Sequence, residues 1–335
     1  MNAPLPVIGL MPGDVTGIGP EITAKILAQG YGRDRARIVV IGDARVLEVG
    51  MRDAGVTLEL RRYPAPRDVD WSAPGIPLVD LGNIDPAQFK RGESSPESGK
   101  LTGDTLKTMI DYAREGQLDG ICFAPLNKGA MNRGGWKYAD EHQMFAALTG
   151  HKGFYSEMNV IPEFSTFRVT SHISLRKALD LVTPERIEAA VRLAHQTMRA
   201  AGKSAPRIGV AALNPHGGEN GLFGDEEITI IRPTLEKLRA EGLPTEGPLP
   251  SDTVFIKARD GAFDAVVMMY HDQGQIATKL LGFHRGVTVT AGMPTVFTTP
   301  AHGTAYDIVG QGKANPGALE SAFDIAVRLA AARRH

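Results

Sequence analysis

The sequence predicts an α/β protein made of two domains, each layered as helices, sheet and helices. Three observations support this fold class: short apolar runs, longer amphipathic segments between them, and a length of 335 residues. A chain of that length can bury two separate cores. Continuous apolar strands suit a sheet that helices cover on both faces, so the alternation of the two segment types indicates layered α/β architecture.

The predicted strands are apolar, β-branched runs at residues 37–41, 120–123, 208–212 and 265–269. Helix signals lie between and after them. Thr183 precedes Pro184 as a capping hydroxyl, and Gly202 follows the apolar stripe of residues 187–198. Further helices are predicted over residues 225–239 and from residue 316 to the C-terminus. Boundaries near Gly135 and Pro300 would give a terminal domain of residues 1–135 plus 300–335 and a middle domain of residues 136–299.

A glycine-rich turn follows the apolar run at residues 7–11 and precedes a helical pattern. Gly13, Gly17 and Gly19 allow close approach of the backbone, and free N–H groups at a helix start favour anions. The spacing is G-x-x-x-G-x-G and differs from the dinucleotide fingerprint G-x-G-x-x-G. A tight structural turn and a ligand loop therefore both stay open.

Three histidines follow predicted strands. His172 ends the run at 168–171, His216 follows 210–213, and His271 follows 266–270. Ligands of α/β proteins gather at such strand ends, and neutral imidazoles are common metal ligands that leave coordination positions for substrate. A single such histidine is more often structural, and the spacing of the three leaves a structural and a metal-binding interpretation equally open.

The amino-acid composition limits which classes of binding partner and which cellular compartment are expected. The chain has 37 Lys plus Arg, 38 Asp plus Glu and dispersed basic residues, which argues against nucleic acid and anionic membranes but not against a small anionic substrate. Cys122 is the single cysteine, so an intrachain disulfide is impossible and a reducing compartment is expected. Without a signal segment or a run of about 18 apolar residues, we expect a cytoplasmic protein.

Five ordered motifs resemble one family. They are Gly-Ile-Gly-Pro-Glu ending at Glu21, Leu-Asn-Pro-His-Gly-Gly-Glu ending at Glu219, Pro-Ser-Asp-Thr ending at Thr253, Met-Tyr-His-Asp-Gln-Gly ending at Gly274, and His-Gly-Thr-Ala beginning at His302. Over nearly its whole length the chain resembles the 4-hydroxythreonine-4-phosphate dehydrogenases of vitamin B6 (pyridoxine) biosynthesis. The fold of that family is similar to the fold of the isocitrate and isopropylmalate dehydrogenases.

The resemblance implies a homodimer with its active site in the interdomain cleft at the dimer interface. One subunit would give His172 and His216 to a divalent metal, and its partner would give His271. Imidazole ligands suit zinc, cobalt or nickel, and an oxygen-rich substrate also permits magnesium or manganese. The cofactor would be NAD or NADP.

Motif matching also implies roles for other residues. Lys279 and His142 match substrate-binding positions. The loop of residues 302–316 reads by composition as a short helix followed by glycines, but it resembles the cofactor side of isopropylmalate dehydrogenases. His302, Gly303 and Asn315 are therefore the expected cofactor residues.

The implied reaction is oxidation of a 3-hydroxy acid to a β-keto acid, which then loses carbon dioxide. A metal that binds the hydroxyl and carboxylate oxygens would stabilise the alkoxide while hydride passes to nicotinamide. Lys128 and Asp252 are the candidates for proton transfer, and each is as easily a member of a structural ion pair.

The chain departs from the family pattern where substrate binds. Gln143 stands where the family has Thr, Thr288 where it has Asn, and Phe297 where it has Arg. A phenyl ring makes none of the paired hydrogen bonds by which Arg binds phosphate. The phosphate end of the substrate is therefore expected to differ, although Lys279 and Arg285 could still hold an anion.

Two alternatives remain. In the first, at parity with vitamin B6 synthesis, a catabolic relative acts on a phosphorylated sugar acid or on a cyclic dihydrodiol carboxylate without phosphate. In the second, the chain is a non-catalytic metal- or metabolite-binding protein. The three histidines and the loop of residues 302–316 argue against the second alternative, because a binding protein needs no hydride acceptor.

Overall fold

A computed structural model of the chain describes residues 4–282 and 285–334. The chain divides into two compact units. The terminal unit comprises Met1–Lys152 and Met293–His335, and the middle unit comprises Gly153–Gly292. The predicted domain boundaries near residues 135 and 300 differ from the limits of these units and stay a prediction.

The strands include each of the four runs that were predicted from apolar sequence. In the described residues they are β1 (Val7–Met11), β2 (Arg37–Gly42), β3 (Leu60–Tyr63), β4 (Ile76–Asp80), β5 (Gly120–Phe123), β6 (Ser156–Val160), β7 (Ser165–Arg168), β8 (Ile208–Ala211), β9 (Thr245–Leu249), β10 (Ala265–Met268), β11 (Val287–Ala291) and β12 (Val296–Pro300).

The helices alternate with the strands over most of the chain. In the described ranges they are α1 (Gly19–Ala28), α2 (Ala44–Ala54), α3 (Pro96–Arg114), α4 (Lys128–Arg133), α5 (Glu141–Thr149), α6 (Leu175–Asp180), α7 (Pro184–Ala200), α8 (Arg232–Ala240), α9 (Ser251–Arg259), α10 (His271–Gly282) and α11 (Gly317–Ala332). The helix predicted over residues 225–239 begins with a π-helical turn, Glu227–Ile231, before α8. None of the helices in the described ranges has the length and apolar character needed to cross a membrane.

Local sequence explains where the helices start. Ser95 and Ser98 form a capping box at α3, in which each hydroxyl accepts a hydrogen bond from the backbone N–H of the other residue. Asp43 caps α2, which ends at Gly55 with a left-handed φ of 65°. Thr183 caps α7 ahead of Pro184, as the sequence predicts.

In the terminal unit the strand order is β3-β4-β2-β1-β5-β12, and neighbouring strands are parallel. The inner strands β1 and β5 are buried along almost their whole length. Helix α11 packs on β5 and β12. This unit therefore has the covered, mostly apolar strands that the sequence predicts.

In the middle unit the strand order is β11-β6-β7-β10-β8-β9. Strand β10 runs parallel to β7 and to β8, whereas β6 pairs antiparallel with β7 and with β11. The carboxyl ends of β7, β10 and β8 consequently lie at the same edge of the sheet. Ligands of α/β proteins bind beyond such an edge, and the three predicted metal histidines follow these three strands.

Candidate active site

Two of the predicted metal ligands meet beyond the ends of β7 and β10. The chain after β7 remains paired with the chain after β10, because Thr170 N and Oγ1 donate to Met269 O at 3.2 and 2.8 Å. His172 and His271 follow these paired residues. Their ring centroids lie 5.4 Å apart at an interplanar angle of 44°. The parallel pairing of β7 with β10 therefore brings these two imidazoles together within one chain.

The two rings have different polar neighbours. His271 is the first residue of α10, and its Nδ1 lies 2.6 Å from Asp272 Oδ1. Burial lowers the pKa of His271, and the Asp272 hydrogen bond opposes this effect. His172 has a left-handed φ of 47°, and its Nε2 lies 3.5 Å from Glu157 Oε2. Neutral imidazole is the form that binds a metal.

The third predicted ligand, His216, lies in a tightly wound segment, Pro215–Gly221, after β8. Its φ is 52°, and its ring centroid is 6.3 Å from that of Phe223. The fully buried Glu227 fixes the start of this segment by accepting the backbone N–H groups of Leu213 and Asn214 at 2.7 and 2.8 Å. Within residues 4–282 and 285–334, no group of three or more His, Cys, Asp or Glu side chains is arranged to hold a metal. The three-histidine site stays a prediction.

Two clefts lie at this edge of the middle unit. One, of about 220 Å³, is lined by Thr170, Ser171, His172, Ile173, Leu175, Ala178, Tyr270, His271 and Asp272. The other, of about 490 Å³, is lined by Ser251, Asp252, Phe255, Ile256, Arg259, Tyr270, Asp272, Gln273, Ile276, Ala277, Leu280 and Leu281. Tyr270 and Asp272 line both clefts, so the histidine pair and Asp252 face adjoining spaces.

Asp252, a predicted proton-transfer group, lies in the first turn of α9. Gln273 ties this turn to the end of β10, because its Nε2 donates to Ser251 Oγ at 2.8 Å and its Oε1 accepts Met269 N–H at 2.7 Å. Gln273 was not predicted from the sequence, and its position two residues after His271 was the available signal. Its side chain fixes Asp252 relative to the histidine pair.

Lys128, the other predicted proton-transfer group, begins α4 in the terminal unit. Its Nζ forms an ion pair with Glu141 at 2.8 Å, and the Glu141 side chain is almost fully buried. His142 and Gln143 lie in α5. His142 is buried with its ring 6.5 Å from Phe145, whereas Gln143 is exposed. The Lys128–Glu141 ion pair is the structural alternative that the sequence left open for Lys128. The catalytic role of Lys128 and the substrate-binding roles of His142 and Gln143 stay predictions.

The remaining predicted substrate residues lie in the middle unit. Lys279 is exposed in the last turn of α10, and Arg285 is exposed just before β11. Thr288 in β11 is partly buried, and its Oγ1 accepts a hydrogen bond from Asn159 Nδ2 at 3.2 Å. The two cations are free to face a solvent-borne anion, whereas the Thr288 hydroxyl already has a protein partner.

The loop of residues 302–316 is held by the glycine-rich turn. Ile18 N donates to Thr304 O at 3.0 Å, and Tyr306 Oη donates to Asp14 Oδ2 at 2.6 Å. A Cβ at Gly17 would lie 2.9 Å from the Thr304 side chain, so only glycine lets the two segments approach this closely. The turn therefore has a structural function here, which was one of its two open interpretations.

The predicted cofactor residues lie in or beside this loop. His302 Nδ1 is 2.9 Å from Gly303 O, and Asn315 Oδ1 accepts Gly317 N–H at 2.8 Å at the start of α11. His302 is partly exposed, and Gly303 and Asn315 are exposed. Glu21 Oε1 anchors the end of the loop by accepting Ala314 N–H at 2.9 Å. The loop thus presents its surface residues from a fixed backbone.

Phe297 belongs to the core of the terminal unit. The side chain is 1% exposed in β12 and stacks on Phe145 with a centroid distance of 4.0 Å and an interplanar angle of 11°. Stacked aromatic pairs contribute packing beyond burial alone. A residue packed in this way offers no surface to a ligand.

A buried charged cluster in the middle unit was not predicted. Arg168 is fully buried in β7, and its guanidinium binds Glu157 of β6 in a bidentate pair. The signal was a charged residue inside an apolar strand pattern, between Phe167 and Val169. Because an unpaired buried charge is costly, such a residue implies a partner.

The fold and the site define a class: an α/β protein with buried parallel strands and an imidazole pair beyond their carboxyl ends. The family described as pyridoxal phosphate biosynthetic protein PdxA matches residues 34–326. D-threonate 4-phosphate dehydrogenase of Cupriavidus necator is 44% identical over 99% of this chain and 100% of its own length.

Solved structures agree with this assignment. The crystal structure of 4-hydroxythreonine-4-phosphate dehydrogenase from Klebsiella pneumoniae is 38% identical, with a TM-score of 0.82 over 98% of this chain and 99% of that chain. That of a terephthalate 1,2-cis-dihydrodiol dehydrogenase from Burkholderia xenovorans LB400 is 29% identical, with a TM-score of 0.68 over 97% and 98%.

The chain belongs to the PdxA family. The resemblance to 4-hydroxythreonine-4-phosphate dehydrogenases that the five motifs predict is confirmed, as is the α/β fold class. The relatives are named as dehydrogenases, which supports an enzyme over a non-catalytic binding protein.

Proposed function

We propose that the chain catalyses metal-dependent, NAD(P)-linked oxidation of a small 3-hydroxy acid, followed by decarboxylation. The observation that carries the proposal is the pair of imidazoles of His172 and His271, 5.4 Å apart beside a cleft of about 220 Å³. The names of two relatives support a phosphorylated substrate, since they specify D-threonate 4-phosphate and 4-hydroxythreonine 4-phosphate.

The reaction balances without a further reactant. A bound oxidised nicotinamide would supply the hydride acceptor for the carbon-bound hydrogen of the secondary alcohol, and the hydroxyl proton would pass to a base. The β-keto acid then loses carbon dioxide, and a proton replaces the carboxylate on the same carbon. Lys128 and Asp252 are the proposed proton-transfer groups.

One divalent metal per site fits the donor chemistry. Two neighbouring imidazoles are suitable ligands when they are in the neutral form, and the left-handed backbone at His172 and His216 is the kind of strain that collects at functional sites. His172, His216 and His271 would hold the cation. When bound, zinc, cobalt, nickel, magnesium or manganese would supply Lewis acidity toward the hydroxyl and keto oxygens.

The proposed substrate and cofactor contacts include several exposed residues. Lys279 and Arg285 are free to bind an anionic group of the substrate, and His142, Gln143 and Thr288 are the further substrate-binding candidates. On the cofactor side, His302, Gly303 and Asn315 would contact NAD or NADP from the anchored loop. In this scheme the terminal unit is the cofactor side, and the middle unit is the metal, substrate and dimer side.

We further propose a homodimer that shares its active sites, in the cytoplasm. An exposed apolar group supports the dimer: Ile256 of α9 and Ile276, Leu280 and Leu281 of α10 all line the cleft of about 490 Å³. Contiguous exposed apolar surface of this kind marks an association site. The single buried Cys122 suits a reducing compartment.

A second candidate substrate is a cyclic dihydrodiol carboxylate without phosphate. One solved relative is named for such a substrate, and two of the three departures from the family pattern point the same way. Phe297 is buried in the core, and the Thr288 hydroxyl is bonded to Asn159, so neither is placed to hold a phosphate.

A substrate panel tests the proposal. Purified protein with added divalent cation is supplied with NAD or NADP and with D-threonate 4-phosphate, 4-hydroxythreonine 4-phosphate or a dihydrodiol carboxylate, and cofactor reduction is followed by absorbance. We expect reduction with a phosphorylated acid and a loss of roughly 100-fold or more in His172→Gln. His195→Gln in α7 is the matched control and should retain activity. No reduction with any acid and any cation would reject the proposed function.

A further inference from the structure

The buried Arg168 joins four segments of the middle unit. Its Nη1 binds Glu157 Oε2 at 2.6 Å and its Nη2 binds Glu157 Oε1 at 3.2 Å. Nη2 also donates to Gln275 Oε1 at 2.8 Å and contacts Asn159 Oδ1. Asn159 in turn donates to Thr288. The guanidinium therefore connects β7 to β6, to β11 and to α10, the helix that begins at His271.

The Glu157 carboxylate has a second neighbour, the predicted metal ligand His172. One carboxylate oxygen, Oε2, lies 2.6 Å from Arg168 Nη1 and 3.5 Å from His172 Nε2. Arg168 also donates to Ser171 Oγ at 3.2 Å, next to His172 in the chain. The ion pair thus lies directly against the imidazole and its backbone.

Stabilisation of the fold does not by itself explain the buried ion pair of Arg168 with Glu157. A buried ion pair loses so much hydration that an apolar pair of similar volume is often at least as stabilising. By contrast, a carboxylate that accepts the second N–H of a metal-binding histidine fixes its tautomer and orientation and raises its basicity. Glu157 Oε2, at 3.5 Å from His172 Nε2, lies next to that position.

We propose that Glu157 is a positioning residue for His172 and that Arg168 holds Glu157 in place. Glu157 accepts a hydrogen bond from His172 Nε2–H, so the proton of the neutral ring lies on Nε2. Arg168 fixes the carboxylate through its bidentate contact and couples it to α10 through Gln275. The role toward the cation rests on the proposed function, whereas the choice of tautomer does not.

The tautomer is tested by long-range ¹H–¹⁵N correlation spectra of ¹⁵N-histidine-labelled protein at pH 8, with His172→Gln to assign the signals. We expect wild-type His172 to carry its proton on Nε2. Glu157→Gln should shift the His172 nitrogens toward a mixture of tautomers, because a neutral amide is the weaker acceptor. Asp264→Asn, which removes a carboxylate paired with Arg207 in the same unit, should leave them unchanged.

Cation affinity is tested by competition of Zn²⁺ with a chromophoric chelator. Second-shell changes cost about 10- to 100-fold in metal affinity, so we expect that loss in Glu157→Gln. Arg168→Lys, which keeps the charge but not the bidentate geometry, should lose less, and Asp264→Asn should stay within about twofold of wild type.

A wild-type His172 protonated on Nδ1 would overturn the inference without any variant, even if Glu157→Gln failed to fold. Unchanged tautomer and Zn²⁺ affinity in folded Glu157→Gln would overturn it as well. If wild-type protein bound no cation and oxidised no substrate while the tautomer still depended on Glu157, the proposed function would fail and the positioning of His172 would stand.

Discussion

At the scale of single residues, left-handed backbone at non-glycine positions collects in the predicted site segments. His172, His216 and Ala305 have φ values of 47°, 52° and 44°. Each such conformation costs about 1–3 kcal/mol and persists only where the surroundings enforce it. The backbone pairing of Thr170 and the buried Glu227 provide this constraint beside the two histidines. Strain at these positions supports their functional assignment.

Asp264 allows a test of electrostatics away from the site. Burial raises its pKa, but hydrogen bonds from Arg207 and Lys203 outweigh that effect and bring the pKa to about 2. The ordinary pKa of an unfolded Asp is about 3.9, so the carboxylate stabilises the fold fully above that pH and loses this contribution as pH falls toward 2.

We therefore expect Asp264→Asn to lower the free energy of unfolding by about 2 kcal/mol at pH 7. Below about pH 3 the difference from wild type should shrink, since the wild-type carboxyl is then becoming protonated. Denaturant titrations of both proteins between pH 2 and pH 7 measure the difference. A difference that is constant over this range would contradict the assignment.

At the scale of elements, α2 packs on α1 through a glycine. A Cβ at Gly50 would lie 2.1 Å from Pro20 O, a backbone atom that cannot move aside. We expect Gly50→Ala to cost about 1–3 kcal/mol, as overpacked sites do. Gly129→Ala in α4 is the control, because its nearest contacts would be 3.4 and 3.5 Å. If the two variants had equal thermal stability, α1 and α2 could move apart without cost, and the predicted effect of Gly50→Ala would be wrong.

The sequence predicted elements better than their assembly. Runs such as residues 120–123 are apolar because both faces of β5 are buried, so composition alone identifies them. The contact of His172 with His271 depends on β7 lying beside β10, a pairing between distant strands that no local pattern specifies. The motif match pairs His172 with His216 and takes His271 from the partner subunit, which stays a prediction. Likewise, the burial of Phe297 depends on its stacking with Phe145.

At the scale of the whole molecule, exposed apolar side chains of α10 form the surface that we expect a second subunit to cover. Leu280 is 82% exposed and Ile276 is 62% exposed. If a second copy covers them, a charge at this surface must break the dimer. We expect Leu280→Glu to halve the mass measured by light scattering, and Leu5→Glu, in the terminal unit, to leave it unchanged. A monomeric wild-type protein would refute the shared-site dimer.

The central claim is that one active site couples oxidation to loss of carbon dioxide. The direct measurement is the ratio of carbon dioxide released to cofactor reduced, with carboxyl-labelled D-threonate 4-phosphate and added divalent cation. We expect a ratio of one, with both products lost after removal of the cation by a chelator. Reduced cofactor without labelled carbon dioxide, or turnover that survives removal of the cation, would contradict it.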